Sequence, residues 1–420
     1  MEKNKKNILK SVISILLIAA LSLETTGCQT TQESAEKTIT LALRSGVYSE
    51  VIKECLPAFE EEHNVKCEVL ELEEDELHSG IADDGEAKKE GGSYDLVMVD
   101  GSWMAEFTTN HILANLTEMG YEFDDDIIPA TTDVCYYDTE IYLAPYYGNV
   151  TVLLYNKELA KQAGYERGSD IRSLADIRKI CTVAKNNGKQ GFVYRGDTEN
   201  NTVVDFLSIL LSYGGWVVNK NNVPTVEDEN FRQAFDFYLD LIKTGTALPK
   251  QDLIDAIDSG EAAMGIGWPG WYTPTEDSAA NYTGLTGKVD GLSRAYNANV
   301  YGVWTVGIPA NSDNKELALE LLRYLMDPEV QKNTVKSGGV PCRYSSLKDP
   351  EVLKEYPQYE IVCDALEHGV YRPVITQWTD FYTVLGQEMQ MVMNGTKSMD
   401  DALEDAQVRL EIIMGLQEYV

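Results

Sequence analysis

Apolar and polar positions follow two periods along this chain. Thr38–Leu43 reads as a first strand, and Lys66–Leu72 alternates apolar with polar residues as a half-buried strand does. Asp95–Asp100 is a short apolar run closed by a carboxylate, the pattern of a buried parallel strand. A helix follows the loop Arg44–Tyr48 and runs through Phe59, and the acidic stretch Glu73–Glu90 suits a solvated helix or loop. Later segments are mostly helical. Val203–Tyr213 is apolar all round and so predicts a buried helix, while Phe231, Ala234, Phe235, Tyr238, Leu241 and Ile242 recur at helical spacing. Asn314–Met326 is amphipathic and stops before Pro328, and Leu403, Ala406, Leu410, Ile413 and Met414 mark a last helix. Strands that alternate with helices predict α/β layers. Tyr142–Asn149 runs almost directly into Val150–Asn156, broken by Pro145 and Gly148, which predicts a strand crossing between two layers with a hinge near Gly148. Gly260–Tyr272 predicts a turn, a buried strand over Ala262–Ile266 and a loop that carries Trp268, Trp271 and Tyr272, stiffened by Pro269. Such rings either fill a core or offer flat apolar faces to a ligand such as a sugar.

A chain of 420 residues exceeds what one core serves, so two lobes are expected. The formal charge of −33 argues against nucleic acid or an anionic membrane surface as the main partner, because both repel it. Lys3, Lys5, Lys6 and Lys10 precede the uncharged run Ser11–Leu23, a signal-peptide pattern too short to span a membrane comfortably. Thr25-Thr26-Gly27-Cys28 resembles the end of a bacterial lipoprotein signal, with Cys28 as the lipidated first residue, although Thr25 departs from the usual aliphatic residue. Residues 28–37 then form a polar tether. Cys55, Cys67, Cys135, Cys181, Cys342 and Cys363 include no CxxC, and whether they pair or stay as buried thiols is left open. His63, His78, His111 and His368 are scattered and neither HExxH nor GxSxG occurs, so no catalytic residue, metal or cofactor is expected.

Six stretches, in order from Thr38 onward, resemble the extracellular solute-binding proteins of ABC importers, in the carbohydrate-binding branch that includes maltodextrin-binding protein. They are Tyr94–Asp100 with Ala105 and His111–Leu116, Val152–Lys157, Gly260–Met264, Gly307–Pro309, Asn314–Ala318, and Ser398–Met399 before Asp401–Leu403. The resemblance implies an α/β, periplasmic-binding-protein-like fold of two discontinuous lobes joined by hinge strands. Lobe one would take residues 38–148 and 300–343, and lobe two residues 149–299 and 344–420. It also implies a lipid-anchored monomer on the outer face of the cell membrane. That monomer captures a carbohydrate, an oligosaccharide in the first instance, by lobe closure and delivers it to ABC permease subunits. A polyamine-binding member of the fold is the nearer alternative, since an acidic aromatic cleft also suits cations. A secreted glycoside-acting enzyme is the more distant one.

Ligands of open α/β sheets sit beyond the carboxyl ends of strands, which selects the loops after them. Trp103, Trp268 and Trp271 are expected in the cleft, with Trp216, Trp304 and Trp378 divided between cleft and core. Either Trp268 or Trp271 matches the family's stacking aromatic, and Tyr382, one helical turn after Trp378, matches a second. Asp100 either accepts from ligand hydroxyls or caps a helix. Arg343 binds ligand or makes an inter-lobe ion pair. Ser45, Tyr48 and Asp197 follow from loop position, and Tyr147 lines or packs the hinge.

Overall fold

The computed structural model describes residues 37–87, 91–275, 277–287 and 296–417. The signal segment and Cys28 lie outside the described residues. The strands of the two main sheets are, in chain order, β1 (Lys37–Arg44), β2 (Val65–Leu72), β3 (Leu96–Asp100), β4 (Leu143–Tyr147), β5 (Val152–Asn156), β6 (Gln190–Phe192), β7 (Ala262–Gly267), β8 (Ala280–Thr283) and β9 (Trp304–Gly307). The first sheet has the order β2-β1-β3-β9-β4 and the second the order β8-β5-β7-β6. β1 and β3 are parallel, with Leu41 opposite Leu96. β9 runs antiparallel to both β3 and β4. In the second sheet β6 and β7 are parallel and β5 is antiparallel to β7.

Each sheet organises its own core. The first gathers Leu41, Val97, Met98, Leu143 and Val306 with Phe59, Phe107 and Leu321 from flanking helices. The second gathers Leu153, Met264 and Ile266 with Phe206, Tyr238, Phe381 and Leu410. The helix Glu199–Ser212 is buried nearly all round, as its uniformly apolar sequence predicts. The expected helix through Phe59 is two helices, Val47–Lys53 and Leu56–His63, because Pro57 sits in the first turn of the second. The acidic stretch holds the helix Glu74–Glu86, which buries only Leu77 and Ile81. The expected change of lobe at 343/344 does not follow the packing. Leu347, Tyr359, Val362, Cys363 and Leu366 are apolar residues of short helices that fill the first core, and Tyr371 and Val374 still pack against it.

The sheets are linked where backbone segments run side by side. Val150 bridges Tyr301, Thr151 N–H donates to the Val300 carbonyl at 2.9 Å, and Gly302 N–H donates to Asn149 O at 2.9 Å. A further short strand, Val370–Tyr371, pairs in parallel with Val300–Tyr301. Buried polar side chains satisfy this seam: Asn299 Nδ2 donates to Thr151 O at 2.7 Å, and Thr151 Oγ1 meets Ser208 Oγ at 2.9 Å. Buried polar groups persist where they are paired in this way. Gly148 is required here, because a Cβ would stand 3.1 Å from Val340 O and 2.7 Å from a Leu366 methyl.

Candidate functional site

A cavity of about 680 Å³ lies beyond the carboxyl ends of β1 and β3 and beside the seam. Its size falls in the ordinary range for small-molecule sites. Strand ends deliver its first residues. β3 ends in Asp100, whose Oδ1 accepts from Ser102 N–H at 2.9 Å and from Ser102 Oγ at 2.7 Å. Asp100 therefore caps the turn Gly101–Trp103 and still faces the cavity, so the two expectations for it are compatible. Arg372, immediately after the Val370–Tyr371 strand, donates from Nη2 to both Asp100 oxygens at 2.6 Å. Both partners are buried, and pairing is what makes such charges tolerable there.

A second arginine enters from the other sheet. Arg195 follows β6 and is held by Asp205 and by Asn201 Oδ1 at 2.6 Å. Its guanidinium carbon lies 4.8 Å from the centre of the Trp271 ring. A third, Arg44 at the end of β1, donates to Glu73 at 2.9 Å and to Ser45 Oγ at 2.6 Å. Lys250 completes the set, its ammonium 5.7 Å from the Trp271 ring. Partial burial lowers the pKa of that ammonium, and Arg44 and Arg195 lower it further against the opposing pull of Glu73. Glu74 spans the cavity and accepts from Asn200 Nδ2 at 3.0 Å. Burial raises the Glu74 pKa, and the neighbouring Asp100 raises it more.

The aromatic surface is uneven. Trp304 is nearly buried, 5.6 Å from the Tyr48 ring and edge-on to Trp103 at 5.5 Å. Trp268 is 6% exposed. Its six-membered ring lies where a Cβ on Gly302 would sit at 2.8 Å, so it is packed against the seam. Trp271 is half-buried and keeps more of its ring open. The Tyr48 hydroxyl accepts from Asn149 Nδ2 at 3.3 Å, and burial pushes its pKa up to about 12, so it stays a neutral donor.

Of the residues expected from sequence, Tyr48, Asp100, Asp197, Trp268, Trp271, Trp304 and Tyr382 line this cavity. The others lie elsewhere. Trp103 backs Trp304 within the first core. Tyr147 donates to Gly338 O at 2.7 Å and meets Tyr48 edge-on at 4.8 Å. Ser45 does not line the cavity, and its hydroxyl donates to Glu73 at 2.5 Å. Trp216 packs on the second core. Trp378 is 2% exposed and stacks on Phe381, supporting Tyr382 from behind. Arg343 makes neither ligand-facing nor inter-lobe contacts: it binds Asp124 at 2.6 Å, Asp126 at 3.3 Å and the Met326 carbonyl, all of which join loops around the first core. The six cysteines from Cys55 to Cys363 are free thiols. Sequence reasoning missed Arg44, Glu73, Glu74, Asn149, Arg195, Lys250 and Arg372. The strand-end rule that selected Asp100 would also have found Arg44, the last residue of β1.

Residues 43–332 match the family described as bacterial extracellular solute-binding protein. The chain is 25% identical over 419 residues to the galactooligosaccharide-binding protein of Bacillus subtilis, covering 93% of this chain and 94% of that one. It is 23% identical over 282 residues to a probable amino-acid ABC transporter periplasmic-binding protein of Sinorhizobium fredii, covering 66% of this chain and spanning just 65% of that relative's length. Among solved structures, maltose-bound MalE3 of T. maritima superposes with a TM-score of 0.77 at 22% identity, covering 90% of this chain and 99% of that chain, which is agreement of fold.

Proposed function

The chain belongs to the bacterial extracellular solute-binding protein family, and from that premise we propose that it is the receptor of an ABC importer for a carbohydrate. Members of this family bind solutes, and the chain is a binding protein rather than an enzyme. The observation that carries the carbohydrate reading is the lining of the 680 Å³ cavity: indoles from Trp268, Trp271 and Trp304 share it with the Arg372–Asp100 and Arg44–Glu73 pairs. A sugar presents apolar C–H faces and hydroxyl edges, and each hydroxyl both donates and accepts. Rings supply the faces, while Asp100 accepts and Arg372 donates at the edges. Relatives and structures of the same fold whose names state a galactooligosaccharide or maltose support the reading. We assign ring contact to Trp271, since Trp268 is committed to the seam at Gly302. Closure of the lobe built on the first sheet against the lobe built on the second would enclose the ligand, and the Glu74–Asn200 contact is the kind of bond that closure makes. In this reading an oligosaccharide is carried to membrane permease subunits by a monomer tethered through a lipid on Cys28. A polyamine is the second reading: Glu73, Glu74, Asp75, Asp100, Asp197 and Glu199 line the cavity, but Arg195 and Lys250 beside Trp271 oppose a cation stacked on that ring.

The test is calorimetry with sugars, polyols, polyamines and amino acids. Binding of a sugar is expected. Trp271→Ala should then weaken it by on the order of 2 kcal/mol, about thirtyfold. A clear response to a polyamine or amino acid with none to any saccharide overturns the carbohydrate reading. Detergent partitioning of Cys28→Ser, released into the aqueous phase, checks the anchor.

A further inference from the structure

The cavity is electrically lopsided. Around Trp271 stand Arg195 at 4.8 Å, Lys250 at 5.7 Å and, acting on the same ammonium, Arg44. Two of these charges are answered: Arg195 by Asp205 and Arg44 by Glu73. Lys250 has no ion pair among the described residues; the one carboxylate acting on it noticeably is Glu73, already held by Arg44 and Ser45. Around Tyr382 the balance reverses, with Glu74 and Asp75 beside the closed pair of Asp100 and Arg372. Tyr48 feels Arg44 and Arg195 as well as Glu74 and Asp100, and Glu74 acts on both of those arginines too. The whole chain carries 68 acidic against 35 basic residues, so its general field repels anions. A cationic corner inside such a protein favours one kind of group.

We propose that the carbohydrate is an acidic one: a saccharide with a uronic acid unit, whose carboxylate pairs with Lys250 beside Trp271 while its neutral part reaches toward Tyr382. This rests on the carbohydrate reading above and names its class. A neutral sugar hydroxyl can accept from the Lys250 ammonium, but it leaves the charge, which Glu73 shares with Arg44, only partly matched. A monoanion matches it one for one, through a charge-assisted hydrogen bond that is stronger than a neutral one. A dianionic phosphate would bring a second charge against Glu73 and Glu74, which line the same cavity.

The experiment is calorimetry on the purified chain with trisaccharides that carry a single terminal galacturonate or glucuronate, set against the neutral trisaccharides that differ from them only at that C6. One acidic trimer is expected to bind about tenfold or more tighter than its neutral partner, the scale of one charge-assisted bond. Added salt should erode that margin. Lys250→Gln should abolish most of it, and a thermal melt of that variant, which breaks no ion pair among the described residues, should match the parent. Neutral trimers that bind as tightly as acidic ones overturn the proposal and leave the carbohydrate reading standing. So does a preference for acid that survives Lys250→Gln. Tighter binding of a sugar phosphate overturns the monoanion assignment. Silence toward every saccharide overturns the carbohydrate reading and this proposal together.

Discussion

Arg343 and Arg372 are alike in sequence terms, and the structure gives them different work. Each follows a crossing or core segment, each is almost fully buried, and each binds carboxylate oxygens at 2.6 Å. The difference lies in their partners. Asp124 and Asp126 keep 51% and 28% of their side chains exposed, so water can serve them if Arg343 is removed. Asp100 keeps 4% and its carboxylate, among the described residues, hydrogen-bonds Ser102 and Arg372 alone. Arg343 thus ties loops at the periphery, whereas Arg372 and Asp100 are a mutually dependent pair in a ligand-facing wall. What decides the role of a buried charge is the solvation left to its partner, which sequence does not show.

That contrast can be broken experimentally. Arg372→Met strands a buried carboxylate and should cost about 3–5 kcal/mol of stability as well as binding. In chemical denaturation the double variant with Asp100→Asn should recover part of it. Failure to recover would show that Arg372 acts through packing rather than pairing. Trp378→Ala opens a hole under Tyr382 and should cost about 3–4 kcal/mol. Calorimetry should show ligand enthalpy largely kept in the fraction that folds, in contrast to Trp271→Ala. Arg343→Met should cost less, about 1–2 kcal/mol, since its aspartates re-solvate. Ligand affinity should not change, and a tenfold loss would return Arg343 to the site. Glu74→Gln has the smallest effect. Its raised pKa means the folded chain holds a proton over a range where the unfolded chain has lost it, so ionisation works against the fold above the ordinary carboxylate range and not below it. The variant should melt about 1–2 °C higher at about pH 7 and match the parent at about pH 4. An equal gain at both would refute the cause.

Much of the scaffold was legible because periodicity reports burial. β3, β5 and the helix Glu199–Ser212 stand where their apolar runs place them, and the strand-end rule picks out Asp100 and Tyr48. The loop setting of Trp268 and Trp271 led to the cavity as well. Trp216 and Trp378 show the limit of that signal, because a tryptophan beside a turn or at a helix start still packs inward when a core lies beneath it. The cationic half of the site was illegible for a different reason. Arg44, Arg195, Lys250 and Arg372 are spread over more than three hundred positions, and each looks like any surface cation. Only topology assembles them. The Val370–Tyr371 strand that presents Arg372 is two residues long, too short for any period to reveal.

The nesting of aromatic rings has an optical side. Trp103 and Trp304 stand edge-on at 5.5 Å with Tyr48 and Tyr147 further along the same chain of rings, so light absorbed by any of them is shared among neighbours held in apolar surroundings. Trp271 is different: half-open and under the guanidinium of Arg195, it emits from a wet, charged setting. Intrinsic fluorescence should therefore combine a background from the buried rings with a part from Trp271 that responds to the cavity. A guest that displaces solvent from Trp271 shifts the emission to the blue without any label.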